Sequence, residues 1–210
     1  MDGVLINSEE TWDQVRRGLA SEAGCDWPPD ATTAMQGMST PEWAHYLTTT
    51  VGIPGSDSDV ATTAIDAMAA HYARHVPLID GAVAAVAELA RHWPLGLASS
   101  SPPSLINSVL AASGMTEYFQ VAISSEEVEA GKPSPAVYLA VTSSMGVNPA
   151  KAIAIEDSSN GLRSAAAAGM VVIAVPQDNF PPAPDALTLA SATVAQISDI
   201  TAQFIRSLVH

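Results

Sequence analysis

The chain has 210 residues, 48% of them hydrophobic, enough for one large domain or one domain with a smaller insert. Eight basic residues stand against 22 acidic ones, a net charge of -14. That field repels nucleic acid and anionic membranes, so neither is expected as a partner. The one cysteine, Cys25, leaves no intramolecular disulfide and no Cys-rich metal site. It fits a reducing compartment. With neither a signal-peptide pattern nor an apolar run of membrane-spanning length, a cytoplasmic location is expected.

Met1-Asp2-Gly3-Val4-Leu5 opens the chain with an acid, a turn signal and an apolar run. Asn7-Ser8-Glu9-Glu10 reads as a helix start, followed by Trp12, Val15 and Leu19 at helical spacing and closed by Gly24. Ser39-Thr40-Pro41-Glu42 is a capping box with an early proline. It leads into a helix with Trp43, Tyr46 and Leu47 on its apolar face. A loop over 51–59 precedes a helix over 60–75, with Ile65, Met68 and Tyr72 on one stripe. From Pro77 the pattern changes. Helices alternate with short apolar runs at Leu95–Ala98, Phe119–Ile123, Ala152–Ile155 and Val171–Val175, and a last helix covers about 200–208. The alternation predicts a doubly wound parallel, Rossmann-like α/β core, built from 1–8 and 76–210. The stretch 9–75 reads as an all-helical insert.

In open parallel sheets ligands bind beyond the carboxyl ends of the strands. The chemistry-bearing residues stand there. Ser99, Ser100 and Ser101 follow one apolar run, and Glu156-Asp157-Ser158 follows another. Lys132, in Gly131-Lys132-Pro133, sits in the loop before the helix that Ser134 opens. Alone, a serine triplet is a helix cap, adjacent acids are a solvated loop, and a Gly-Lys pair is common. Together with Asp2 they make a kit for handling a phosphate and a magnesium ion.

These stretches resemble the motifs of the haloacid dehalogenase superfamily phosphatases, in the branch close to β-phosphoglucomutase, and the likeness covers essentially the whole chain. Asp2-Gly3-Val4-Leu5 resembles the end of the first motif, Asp-x-Asp-Gly-Val-Leu. Ser99 is similar to the Ser/Thr motif, Lys132 to the lysine motif, and Glu156-Asp157-Ser158-Ser159-Asn160-Gly161 to the acidic motif. The resemblance implies a Mg2+-dependent phosphatase of a small phosphorylated metabolite, a sugar phosphate, acting through an aspartyl-phosphate. It implies that Asp157 and the carbonyl of Asp2 bind the metal, with Glu156 beside them, directly or through water. The Asp2 side chain would act as general acid and then base. Ser99, with neighbouring Ser100, would hold phosphoryl oxygens, and Lys132 would neutralise charge. The helical insert would be a cap that closes on the substrate, with Trp12, Met38 and Ser39 reaching it. For Trp12 and Trp43 core packing remains open beside that role. A monomer or weak homodimer is expected.

The same likeness puts the nucleophilic Asp two positions before Asp2, just ahead of Met1, and the central strand of the sheet before that. The expectation is that the true start lies upstream, with Met1 the variable residue of the motif and the first central strand missing from this chain. The alternative is a catalytically inactive binding or regulatory protein. A phosphosugar mutase is the nearest rival activity. The cap positions that would grip its second phosphate match Trp12 and Thr40, neither of them a cation. His71 and His75 lie at i, i+4 spacing and read as a surface pair, since no third zinc ligand is evident.

Overall fold

Two acids, Glu9 and Glu10, open the first helix, α1 (Glu9–Glu22), where they face the positive end of its dipole. The computed structural model describes residues 1–35 and 38–208. α1 buries Thr11, Trp12, Arg16 and Ala20. After a single turn, α2 (Ala31–Ala34), the predicted capping box starts α3 (Thr40–Tyr46). There the Ser39 N–H donates to Glu42 Oε2 at 2.7 Å. α3 runs on into a π-helical turn over Leu47–Val51. The next helix, α4 (Asp57–Tyr72), begins and ends three residues earlier than the apolar stripe suggests. Ser56 and Asp59 form a second capping box that draws a polar segment into the helix.

After α5 (Ala82–Ala90) the chain alternates as expected. The order is β1 (Leu95–Ser99), α6 (Pro103–Ser113), β2 (Phe119–Ser124), α7 (Ala136–Ser144), β3 (Ile153–Glu156), α8 (Ser159–Ala167) and β4 (Val171–Ala174). The short α9 (Pro184–Leu187) and β5 (Ala192–Thr193) have no apolar run to announce them, and α10 (Ala202–Leu208) ends the described chain. All strand pairs are parallel, but they form two sheets. β1 pairs with β2, from Leu95↔Phe119 to Ser99↔Ser124, and β3 pairs with β4, which pairs with β5. Among the described residues no strand joins β1 to β3. Their carboxyl ends nevertheless meet, because the Lys132 ammonium donates both to Ala98 O at the end of β1 and to Glu156 Oε1 at the end of β3.

The largest apolar cluster ties the helical block to the α/β part. It holds Trp12, Trp43, Leu47 and Met68 together with Leu97, Ile106 and Val109. Val4, Leu5 and Ile6 belong to it too, so the opening segment is anchored by its own apolar run. Ile6 bridges Leu78, and the Asn7 N–H donates to Pro77 O at 2.8 Å. The strands of chain that enter and leave the helical block are thus pinned side by side. Ala165 and Ala168 pack against Val172 and Ala174, which accounts for the alanine run of α8. Among the described residues no helix is long and apolar enough to cross a membrane.

Candidate active site

Asp2 sits on a tight turn made by the residues after it. Gly3 takes φ +66, a left-handed conformation costly for residues with a Cβ, and its N–H donates to Ile6 O at 2.8 Å. A Cβ on Gly3 would lie 1.8 Å from Asp157 Oδ2, so only glycine lets these two acidic loops approach. Gln177 Nε2 donates to Gly3 O at 2.6 Å from a third loop. Serine hydroxyls hold both Asp2 carboxylate oxygens. Ser8 donates to Oδ1, and Ser101 donates to Oδ2 at 2.7 Å, with Ser99 farther off at 3.4 Å. The serine turn is braced in its own right: the Ser101 N–H donates to Ser99 Oγ, and Ser124 Oγ donates to Ser101 O. The hydroxyl of Ser100 is buried and has no partner among the described residues.

Behind this turn lies a buried ionic cluster. Lys132 Nζ stands 2.5 Å from Glu156 Oε1, with the two side chains 7% and 5% exposed. The Tyr138 hydroxyl donates to the same oxygen. Glu156 Oε2 accepts from the Asp157 N–H at 3.2 Å and from Ser158 Oγ at 3.4 Å. Gly161 makes room for that carboxylate, since a Cβ there would lie 1.9 Å from Oε2. Burial opposes the charge on Glu156, but the Lys132 ammonium and the hydrogen bonds from Lys132 and Tyr138 hold it below the ordinary carboxylate range. Asp157 is the opposite case. Burial, and then the Glu156 charge beside it, push its carboxyl well above that range. Its carboxylate makes no hydrogen bond among the described residues.

Above the acids lies a cleft of about 650 Å³, part of it open to solvent. Asp2, Ser99–Ser101, Lys132, Glu156 and Asp157 line its floor. Its roof comes from the helical block: Glu9, Trp12, Arg16, Met35, Met38 and Trp43. The rings of Trp12 and Trp43 stand 5.7 Å apart, and the Arg16 guanidinium lies over both, 4.8 and 5.0 Å from their centroids. Burial lowers the Arg16 pKa to about 10. Burial raises the Glu9 carboxyl to about 7, with the Arg16 charge opposing the shift.

The sequence-predicted residues Asp2, Ser99, Ser100, Lys132, Glu156, Asp157, Trp12 and Met38 therefore share one cleft. Trp12 and Trp43 are both core and lining, so the two readings left open for them coexist. Ser39 is turned into the α3 capping box, its hydroxyl donating to Glu42 Oε2 at 2.6 Å, and does not line the cleft. Gln36 and Gly37, which precede Met38 in the sequence, lie outside the described residues. Among the described residues no three His, Cys, Asp or Glu side chains are grouped as a multidentate metal cluster, His71 and His75 included. Sequence reasoning missed Ser8, Tyr138 and Arg16. Ser8 and Tyr138 carry no signal beyond a helix start and a helix face. Arg16 is a different matter: the positions singled out, Trp12 and Thr40, are not cations, but Arg16, one helical turn beyond Trp12, lines the cleft.

A family-wide sequence profile described as haloacid dehalogenase-like hydrolase matches residues 1–169. Among curated proteins, the chain is 31% identical over 209 residues to hexitol phosphatase B of Escherichia coli O157:H7, covering 97% of this chain and 92% of that one. It is 25% identical over 185 residues to fructose-1-phosphate phosphatase YqaB of Escherichia coli strain K12, covering 83% and 93%. Among solved structures, β-phosphoglucomutase from Clostridium difficile superposes with a TM-score of 0.84 over 99% of this chain and 93% of that one. At 20% identity that likeness speaks for the fold alone.

Proposed function

Since this chain belongs to the haloacid dehalogenase-like hydrolases, we propose that it hydrolyses the phosphate monoester of a small sugar or hexitol with the help of Mg2+. The observation that carries the reading is the convergence of Asp2, Ser100, Lys132 and Asp157 on the floor of one cleft. The relatives named for hexitol phosphate and fructose 1-phosphate support the substrate class. The donor set fits the ion. Mg2+ takes one or two carboxylates and fills its remaining positions with water and substrate phosphate, so it needs no three-carboxylate cluster. Asp157 offers an unbonded buried carboxylate, and Asp2 stands across the Gly3 turn from it. We assign the ion to the Asp157 carboxylate and the Asp2 carbonyl, with Glu156 held behind them by Lys132 and Tyr138. Bound there, the ion would neutralise charge on the phosphoryl oxygens.

The chain's own residues do the rest. The free Ser100 hydroxyl donates to a phosphoryl oxygen. Lys132 shares its charge between Glu156 and the substrate. Ser8 and Ser101 aim the Asp2 carboxylate, which passes a proton to the leaving oxygen and later takes one from water. The helical block acts as a cap: Trp12, Met35, Met38 and Trp43 keep bulk water from the reacting group. The phosphoryl-accepting Asp implied by the family likeness falls two positions before Asp2, outside residues 1–210.

The test is phosphate release from fructose 1-phosphate and hexitol phosphates, with and without Mg2+. It is run on this chain and on a version in which an apolar strand ending in that Asp precedes Met1. Mg2+-dependent release by the longer version supports the reading, and no release from any of these compounds by that version refutes it. A folded but inactive short chain beside an active long one locates the nucleophile. Conversion of β-glucose 1-phosphate to glucose 6-phosphate would favour the mutase instead, for which Arg16 supplies a cap cation.

A further inference from the structure

Two polar groups in this cleft are buried without a partner among the described residues: the Ser100 hydroxyl on the floor and Nε of Arg16 in the roof. Arg16 is only 7% exposed. Among the described residues no carboxylate approaches its guanidinium within 4.0 Å, the limit for an ion pair. The nearest acid in sequence on the same helix, Asp13, is committed elsewhere. Its oxygens accept from Arg17 Nε at 2.6 Å and from the Thr32 hydroxyl. Glu9 lies two helical turns back, also at the cleft. The planar guanidinium lies against the rings of both Trp12 and Trp43, which restricts its orientation. In a chain with only 8 basic residues against 22 acidic ones, a buried cation that has only the longer-range charges of Glu9, Asp13 and Asp2 around it, and no direct ion pair among the described residues, is conspicuous. Burying a charge is costly unless it is paired, and an anion brought by a ligand would supply the direct pair that is missing here.

We propose that Arg16 is a specificity-determining residue that binds a second anionic group, a carboxylate or a phosphate, at the far end of the substrate from the phosphoryl group held on the floor. The preferred substrate is then a phosphate monoester whose short polyol chain ends in an acid. The proposal rests on the phosphatase reading only for which end is cleaved. A guanidinium presents a fork of donors that pairs two oxygens of either acid, and a hydroxymethyl group can use only one of them. A lysine ammonium in that place would offer a point charge on a flexible stem in place of the fork.

Matched ligands test it. 6-Phosphogluconate and glucitol 6-phosphate differ only in carrying a carboxylate or a hydroxymethyl group at C1. Fructose 1,6-bisphosphate and fructose 6-phosphate make the same comparison for phosphate against hydroxyl. Kd for each is measured by calorimetry, with kcat/KM wherever turnover occurs. We expect the doubly anionic member of at least one pair to be preferred roughly tenfold or more, the worth of a hydrogen bond between charged groups. Which pair responds tells carboxylate from phosphate. Arg16→Met brings the ratio close to one, and Arg16→Lys keeps part of it; thermal melts confirm that both are folded. Equal affinities, no binding of any of the four, or a preference that survives in Arg16→Met overturns the assignment. Absent phosphate release with the preference intact would instead sink the phosphatase reading and leave the anion site standing.

Discussion

Removing the Lys132 ammonium tests how the buried ionic cluster is held. The pair stands at 2.5 Å with both side chains more than nine-tenths buried. At an effective dielectric constant near 20 the gross attraction is on the order of 6 kcal/mol, most of it offset by the desolvation of both ions. Deleting one partner keeps the desolvation cost and loses the attraction, which costs about 3–5 kcal/mol. For a protein of this length that is roughly a 6–20 °C fall in Tm. Lys132→Met should therefore lower the urea midpoint without changing the m-value. Adding Glu156→Gln removes the stranded charge and leaves an oxygen to accept from Tyr138. The double variant should recover at least about 2 kcal/mol of the loss, although phosphate release stays absent in both. The single variant carries a pH signature too. Without Lys132, burial dominates and raises the folded pKa of Glu156 above its unfolded value. Stability of Lys132→Met then falls as pH rises through that window, so its deficit is smaller at pH 5 than at pH 8. A single-variant cost below about 1 kcal/mol, or strict additivity in the double variant, would show that losing Lys132 does not strand a buried charge on Glu156 and would refute the reasoning.

Gly3→Ala puts a Cβ 1.8 Å from Asp157 Oδ2 at a φ of +66; urea titration should show a loss of about 2 kcal/mol or more, and phosphate release should vanish because Asp2 and Asp157 are forced apart. Asp157→Asn separates function from stability. Burial and Glu156 already disfavour the charge, so Tm should hold or rise, while Mg2+-dependent phosphate release falls about a hundredfold or more. EDTA should abolish that release and excess Mg2+ restore it; release that EDTA leaves unchanged would remove the ion from the scheme. Glu9 is raised to about 7 against an ordinary value of 4.5, so the folded chain binds the extra proton between those values and the group's contribution to stability is lost as pH rises through them. Tm against pH should therefore decline less steeply across that interval in Glu9→Gln than in the parent chain, and identical slopes would show that Glu9 does not titrate there.

The floor of the cleft was legible because it is built from short contiguous motifs at strand ends, and the strand-end rule is local. Ser99, Lys132 and Asp157 each follow an apolar run visible in the sequence, and the parallel topology then brings those ends together. What the motifs could not say is which serine does what. The turn after β1 points Ser101, not Ser99, most closely at Asp2 and leaves the Ser100 hydroxyl free, a consequence of backbone curl rather than residue type. The roof was illegible for a different reason. Arg16 shares its helix with a clear apolar stripe of Trp12, Val15 and Leu19, and an arginine beside such a stripe ordinarily marks the solvated face. It turns inward onto the rings of Trp12 and of Trp43, which is on another helix, and nothing local couples those positions. Glu9 shows the same ambiguity, since an acid in the first turn of a helix satisfies the dipole whether or not it also faces a ligand. The residues of the cleft floor thus come from stretches of a few residues, and those of its roof are single side chains from separate helices that also serve the core. It follows that the family can be read from sequence well before the substrate, and that the unpaired guanidinium of Arg16 is where the substrate question is most directly asked.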